Sequence, residues 1–323
     1  MNRVLLAGTG RSGTTWTGRV MGSAANTVYI NEPDNIGVNH HGGVQPDTLG
    51  FGPFPILGPG DDAPQYAALW RLAFSGRVPM RNGVGRRFGR VALRMPRAVR
   101  DPFLTSFAGA MERVRSLPEN VVVKSTMTHF CLEWLVANFH PRVVIIQRNP
   151  LNVVSSWLDW KVNGKDLHLR SVVHERFVEP YGLPPAPVTG SQAALTAWWV
   201  GLLTTTMSRM VDDHPEWTVI THELLCAEPE REFRSLFDKL SLTWTDEAAA
   251  FLRRGYLLPT FAQELDATAM GESAEVTRAQ TDRWRERLDD SEVAEIERVL
   301  ELFPGRGWIR PLDGAMPLQA HAS

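Results

Sequence analysis

The stretch RVLLAGTGRSGTTW, residues 3–16, constrains the fold more than any other part of this chain. A short, continuously apolar run passes directly into a glycine-rich turn and then into a helical pattern. Such a run suits a strand covered on both faces, as in a parallel sheet. Gly8, Gly10 and Gly13 let a backbone turn tightly and approach an anion closely, and the start of the next helix adds its dipole. A strand–turn–helix unit of this kind belongs in an α/β sheet, where ligands gather at the carboxyl ends of the strands.

The same rhythm recurs along the chain. Residues 27–30, 120–125, 142–148 and 217–222 read as further strands. Helical patterns cover 13–24, 131–139, 150–161, 191–213, 228–240, 246–254 and 291–303. Alternation of the two implies right-handed crossovers and a doubly wound, mainly parallel central sheet with flanking helices. We expect a single domain over 1–310 and a loosely ordered tail over 311–323. Residues 33–118, rich in Gly and Pro, break the rhythm and are expected to form an irregular insertion on the acceptor side. EPYGLPPAPVTG (179–190) is a second irregular stretch, expected near the same mouth.

The net charge of −2 gives no reason to expect general nucleic-acid binding. Two cysteines, Cys131 and Cys226, cannot build a disulfide framework and lack metal-ligand spacing. The opening VLLA is too short for a signal-peptide core, and no run approaches the length needed to cross a bilayer. The expected location is the cytoplasm.

The opening loop departs from the nucleoside-triphosphatase pattern. There, a Lys follows the last Gly and reaches the β- and γ-phosphates, and the next hydroxyl holds magnesium. Here Thr14 takes the Lys position, and the cation, Arg11, precedes Gly13. Thr14 and Thr15 supply hydroxyls. Triphosphate hydrolysis is disfavoured, whereas phosphate binding is not. A second stretch, QRNPLNVVSSW (147–157), puts Arg148 at a strand end and Ser156 about two turns up the following helix. Arg suits bidentate phosphate contact, and a nearby hydroxyl completes the grip.

Together these two stretches resemble the sulfotransferases that use 3'-phosphoadenosine 5'-phosphosulfate (PAPS). GTGRSGTTW looks like that family's 5'-phosphosulfate loop, which implies donor contacts from Gly10, Arg11, Ser12, Gly13, Thr14, Thr15 and Trp16. RNPLNVVSSW looks like its 3'-phosphate element, which carries over to Arg148 and Ser156. Residues 218–244 and 277–300 are similar to the family's later elements. In the second of these, Arg278, Arg283 and Trp284 are candidates for the adenine and 3'-phosphate end. The resemblance implies PAPS as sulfuryl donor, with 3'-phosphoadenosine 5'-phosphate (PAP) as product and no metal required.

The developing charge must then be met by side chains and backbone donors. Arg11 falls on the leaving-group side. Lys124 ends the strand NVVVK, and a Lys there is costly to bury unless it meets an anion. The family often has Lys at this place, contacting the sulfonate. Its cytosolic phenol and steroid branch has a His base two residues later, where this chain has Thr126. The carbohydrate and tyrosylprotein branches instead place a Glu after the second strand, which implies Glu32 as base. His40 and His41 are alternative bases, and His129 reads as structural. The catalytic candidates are therefore Arg11, Glu32 and Lys124.

RNGVGRRFGRVALRMPRAVR (81–100) holds seven Arg and no acid. It is either a solvated face or a basic surface for an anionic membrane or an acidic acceptor. The leading expectation is sulfuryl transfer to a hydroxyl of a small metabolite, glycoside or lipid. The rivals are a phosphate-loop kinase-like phosphotransferase and a non-catalytic nucleotide-binding protein. The sequence identifies no self-association interface.

Overall fold

The computed structural model describes residues 1–35, 53–76, 118–162, 164, 166–187, 190–253 and 281–304. Arg278, His40, His41, the arginine-rich stretch 81–100 and the tail 311–323 lie outside them. Five strands are present: β1 (Asn2–Gly8), β2 (Thr27–Asn31), β3 (Asn120–Ser125), β4 (Arg142–Gln147) and β5 (Thr218–Thr221). They form one sheet in the order β2-β3-β1-β4-β5, and every pairing is parallel. The expected parallel α/β architecture is thus present. With β1 central and β3 and β4 beside it, the loop after β1 lies where the chain connections diverge, the usual ligand position in such sheets.

The helices are α1 (Thr14–Met21), α2 (Pro64–Phe74), α3 (Leu132–Phe139), α4 (Pro150–Asp159), α5 (Gln192–Asp213), α6 (His222–Ala227), α7 (Pro229–Lys239), α8 (Asp246–Arg253) and α9 (Asp290–Leu300). Two of them differ from expectation. α2 lies inside the stretch expected to be irregular, and it buries Tyr66, Trp70 and Phe74. α6 begins one residue after β5, because the Thr221 hydroxyl accepts from Leu224 N at 3.2 Å and caps a new helix.

The described residues form two compact units, one within Met1–Gln147 and Arg209–Gln280, the other within Arg148–Ser208 and Thr281–Ser323. In the first, strand side chains alternate between faces. Val4, Leu6, Val122, Val144, Ile146 and Ile220 pack with Trp16 and Val20 of α1 and Phe233 and Phe237 of α7. Trp16 meets Phe233 edge to face, with ring centroids 5.1 Å apart. Such a pair adds about 0.5–1.5 kcal/mol beyond area burial. This core anchors α1 by its first turns, so the loop ahead of α1 is held at both ends.

In the second unit, Asn149 caps α4 by accepting from Leu151 N at 2.9 Å, with Pro150 in the first helical position. Asp289 and Glu292 form a reciprocal capping box on α9. Trp198 of α5 donates through Nε1 to Pro184 O at 2.9 Å, which fastens the proline-rich stretch to that helix. No helix among the described residues is long and apolar enough to cross a membrane.

Candidate active site

Residues 8–16 connect β1 to α1 through two unusual backbone positions. Gly13 has φ 90°, in the left-handed region that glycine enters freely. A Cβ at Gly13 would lie 2.2 Å from His222 Cδ2, so the loop and the start of α6 meet without room for a side chain. Arg11 has φ 73°, a conformation that strains a non-glycine residue by about 1–3 kcal/mol. Ser12 N donates to Thr9 O at 3.1 Å and closes the turn.

The loop fits an anion better than it fits a plain turn. α1 starts with no side-chain cap and no acid in its first turn. The Ser12 hydroxyl is buried, at 1% exposure, with no hydrogen-bond partner among the described residues. Buried polar atoms are nearly always paired, so an orphan hydroxyl at a helix start suits a missing acceptor such as a phosphate oxygen. Thr14 is buried, Thr15 partly so, and Arg11 exposed.

Glu32 and Lys124 are brought together. Glu32 lies just past β2, and Lys124 is the register partner of Asn31 on one side and of Leu6 in β1 on the other. The Lys124 ammonium pairs with Glu32 Oε1, and both side chains are buried. Thr126 Oγ1 donates to the same oxygen at 3.1 Å, and Asn35 Nδ2 donates to Oε2. Glu32 N donates to Lys124 O at 2.6 Å, and Glu32 takes φ 47°. Burial pushes the Glu32 carboxyl up. The Lys124 charge and the hydrogen bonds from Lys124, Asn35 and Thr126 overcome that and hold it below its ordinary value. Glu32 is therefore an ionised carboxylate in this pairing. Thr126 serves here as a donor to Glu32.

His129 is buried, and its Nε2 lies 3.3 Å from Thr9 Oγ1 in the loop. Burial pushes its pKa down to about 3, so it is neutral and supports the loop.

The second unit carries the other candidates. Arg148 follows β4 and is partly buried; Ser156 is buried on α4. A short turn of 3-10 helix, Arg283–Glu286, docks on α4. Asn152 Oδ1 accepts from Trp284 N at 3.3 Å, and Asn152 Nδ2 donates to Thr281 O at 2.6 Å. Trp284 is buried, Arg283 is exposed, and Arg285 lies over the Trp284 ring at 4.3 Å from its centroid. Ser156, Arg283 and Trp284 thus belong to one helix and the segment pinned to it.

Comparison with known proteins follows the same line. The family described as "Sulfotransferase domain" matches residues 1–302. The chain belongs to that family. The enzyme class expected from the two motifs, a sulfotransferase, is thereby borne out. No curated protein matches the chain. Among solved structures, this sulfotransferase is similar to the sulfotransferase domain from the curacin biosynthetic pathway. That likeness has 12% identity, 94% and 99% coverage of the two chains, and a TM-score of 0.47. The sulfotransferase domain from the Synechococcus PCC 7002 olefin synthase gives 13%, 93% and 94%, and 0.48. A mouse sulfotransferase complexed with PAP gives 12%, 92% and 82%, and 0.42.

Two residues of this sulfotransferase show their contacts only in the structure. Asn152 offered a signal, as a polar residue on the apolar face of a short helix. Asp34, two places after Glu32, depends on contacts between distant segments. His222, at the end of the fifth strand pattern, lies against Gly13.

Proposed function

We propose that this sulfotransferase moves the sulfuryl group of PAPS to a hydroxyl of a small metabolite, glycoside or lipid, without a divalent ion. The observation that carries the reading is the loop at 8–16, with its orphan Ser12 hydroxyl, set one strand away from a buried Lys124. A site built from these groups meets anionic charge with side chains and amides alone.

The donor supplies the sulfuryl group and a stable bisphosphorylated nucleotide as leaving group. Arg11, the Ser12, Thr14 and Thr15 hydroxyls and the loop amides hold its 5' end and neutralise charge there. Gly10 and Gly13 let the backbone come close, and Trp16 fixes α1 behind them. Arg148 and Ser156 hold the 3'-phosphate, and Arg278, Arg283 and Trp284 cover the adenine end. Lys124 holds the sulfonate. Glu32 takes the proton from the acceptor hydroxyl as the new O–S bond forms and the bond to the leaving phosphate breaks.

The Glu32–Lys124 pair gives these roles an order. While Lys124 serves Glu32, the carboxylate is a weak base. An anionic group beside Lys124 draws on the same ammonium and raises the proton affinity of Glu32. Donor binding therefore arms the base.

The test is incubation of the pure protein with PAPS carrying labelled sulfonate and an extract of small molecules, in the presence of a metal chelator. The reading expects label in a hydroxyl-bearing product together with PAP. Label transferred only after magnesium is added, or none transferred while ATP donates phosphate, contradicts it.

A further inference from the structure

Glu32 has a second buried carboxylate behind it. Asp34 is 4% exposed. Lys124 and Ser125 are consecutive in β3, so their side chains leave opposite faces of the sheet. Lys124 reaches Glu32, while Ser125 Oγ lies 2.8 and 2.9 Å from the two oxygens of Asp34. The same Oγ accepts from Met127 N at 3.0 Å, tying Asp34 to the turn that carries Thr126. Tyr66 of α2 donates to Asp34 Oδ2 at 3.3 Å, and Cys131 Sγ, just ahead of α3, lies 3.7 Å from the Tyr66 hydroxyl. The groups facing Asp34 are thus Ser125 from β3, Tyr66 from α2, Cys131 ahead of α3, and Glu32 from its own segment. No cation is among these partners, and the nearby Lys124 is engaged by Glu32.

This arrangement works against folding at neutral pH. Burial raises the Asp34 pKa to about 6, and the Glu32 charge adds to the rise against the hydrogen bonds from Ser125 and Tyr66. With the folded value above the unfolded one, the stabilising contribution is complete only in acid and is lost as pH rises through about 6. An uncharged Asn would satisfy Ser125 without that penalty. Buried charges held against stability cluster at functional sites.

We propose that Asp34 is a positioning residue of the transfer site. Through Ser125 it fixes the rim that carries Lys124 and Thr126, and its negative charge makes Glu32 a stronger proton acceptor. The proposal rests on the reading of Glu32 as base. Lys124 lowers the proton affinity of Glu32, whereas a base needs that affinity high. A neighbouring negative charge acts in the opposite sense, and the weakly screened interior strengthens it. The interaction between two carboxyls is mutual, so each titrates under the influence of the other.

The test titrates both carboxyls by NMR in protein labelled with carboxyl carbon-13 in Asp and Glu, without donor. The Asp34 midpoint is expected near pH 6 and to fall in Glu32→Gln; the Glu32 midpoint is expected to fall further in Asp34→Asn. Midpoints that ignore each other's substitution overturn the proposal, whatever the activity. A parallel arm follows sulfate released from PAPS with water as acceptor. Asp34→Asn should lower kcat about tenfold, leave PAP affinity unchanged, and remove the loss of rate below pH 6 that the proposal expects of the natural chain. Ser125→Ala keeps the charge and should keep that inflection while lowering kcat. Asp34→Asn should also melt no lower than the natural chain at pH 7; a collapse of the fold would assign Asp34 a structural role and overturn the proposal. Coupled carboxyls in a chain that does not bind PAP would refute the sulfotransfer reading alone. An unchanged pH profile in a PAP-binding Asp34→Asn protein would refute this proposal alone.

Discussion

At the residue scale, the proposed chemistry turns on the Lys124 ammonium. Lys124 compensates Glu32 in a buried pair, and removing one member of such a pair strands the other at a penalty of about 3–5 kcal/mol. Lys124→Ala should therefore lower the melting temperature as well as activity, and thermal melts at pH 7 check it. Glu32→Gln should nearly abolish sulfonate transfer while PAP still binds; near-normal turnover removes Glu32 from the role of base. The pH dependence has a definite sign. The Glu32 carboxyl is held below its ordinary value, so its stabilising contribution is present above the unfolded value and lost as pH falls through the folded one. Acid unfolding of Glu32→Gln, followed by circular dichroism, should be less steep than that of the natural chain.

At the element scale, the proposed donor binding depends on one fastening within each unit, and each has its own variant. Gly13→Ala places a methyl group in the His222 ring and forces φ 90° on alanine. It should abolish PAP binding, whereas Gly60→Ala, with nothing within 4 Å, should leave it intact; calorimetric titration distinguishes them. Asn152→Ala frees the 281–287 segment from α4 by removing two hydrogen bonds. At about 0.5–1.5 kcal/mol each, this should weaken PAP about tenfold and spare kcat at saturating PAPS. The three inner strands were legible because a strand covered on both faces has to be apolar throughout, and VLLA, VVV and VVII cannot hide among amphipathic helices; the edge strands β2 and β5 showed as short β-branched runs. α2 was not, because its Gly- and Pro-rich surroundings masked eleven residues of regular helix. α6 was not, because WTVITHELL reads as one run until the Thr221 cap divides it. The motifs supplied Arg11, Lys124 and Glu32 individually. The Glu32–Lys124 pairing depends on β2 lying against β3, a strand order that no local pattern encodes. Asp34 and Asn152 act through the same kind of distant contact.

At the scale of the whole molecule, the claim is that fixed cations and amides replace a divalent ion. Sulfonate transfer should be unchanged by a chelator and by added magnesium, checked by PAP formation under both conditions. The most direct measurement is calorimetric titration of the chain with PAP and with ATP in magnesium-free buffer. The account predicts PAP binding tighter than ATP by about a hundredfold, or ~2.7 kcal/mol, with most of that preference lost in Arg148→Ala. ATP binding as tightly as PAP, or PAP binding that needs magnesium, would contradict it.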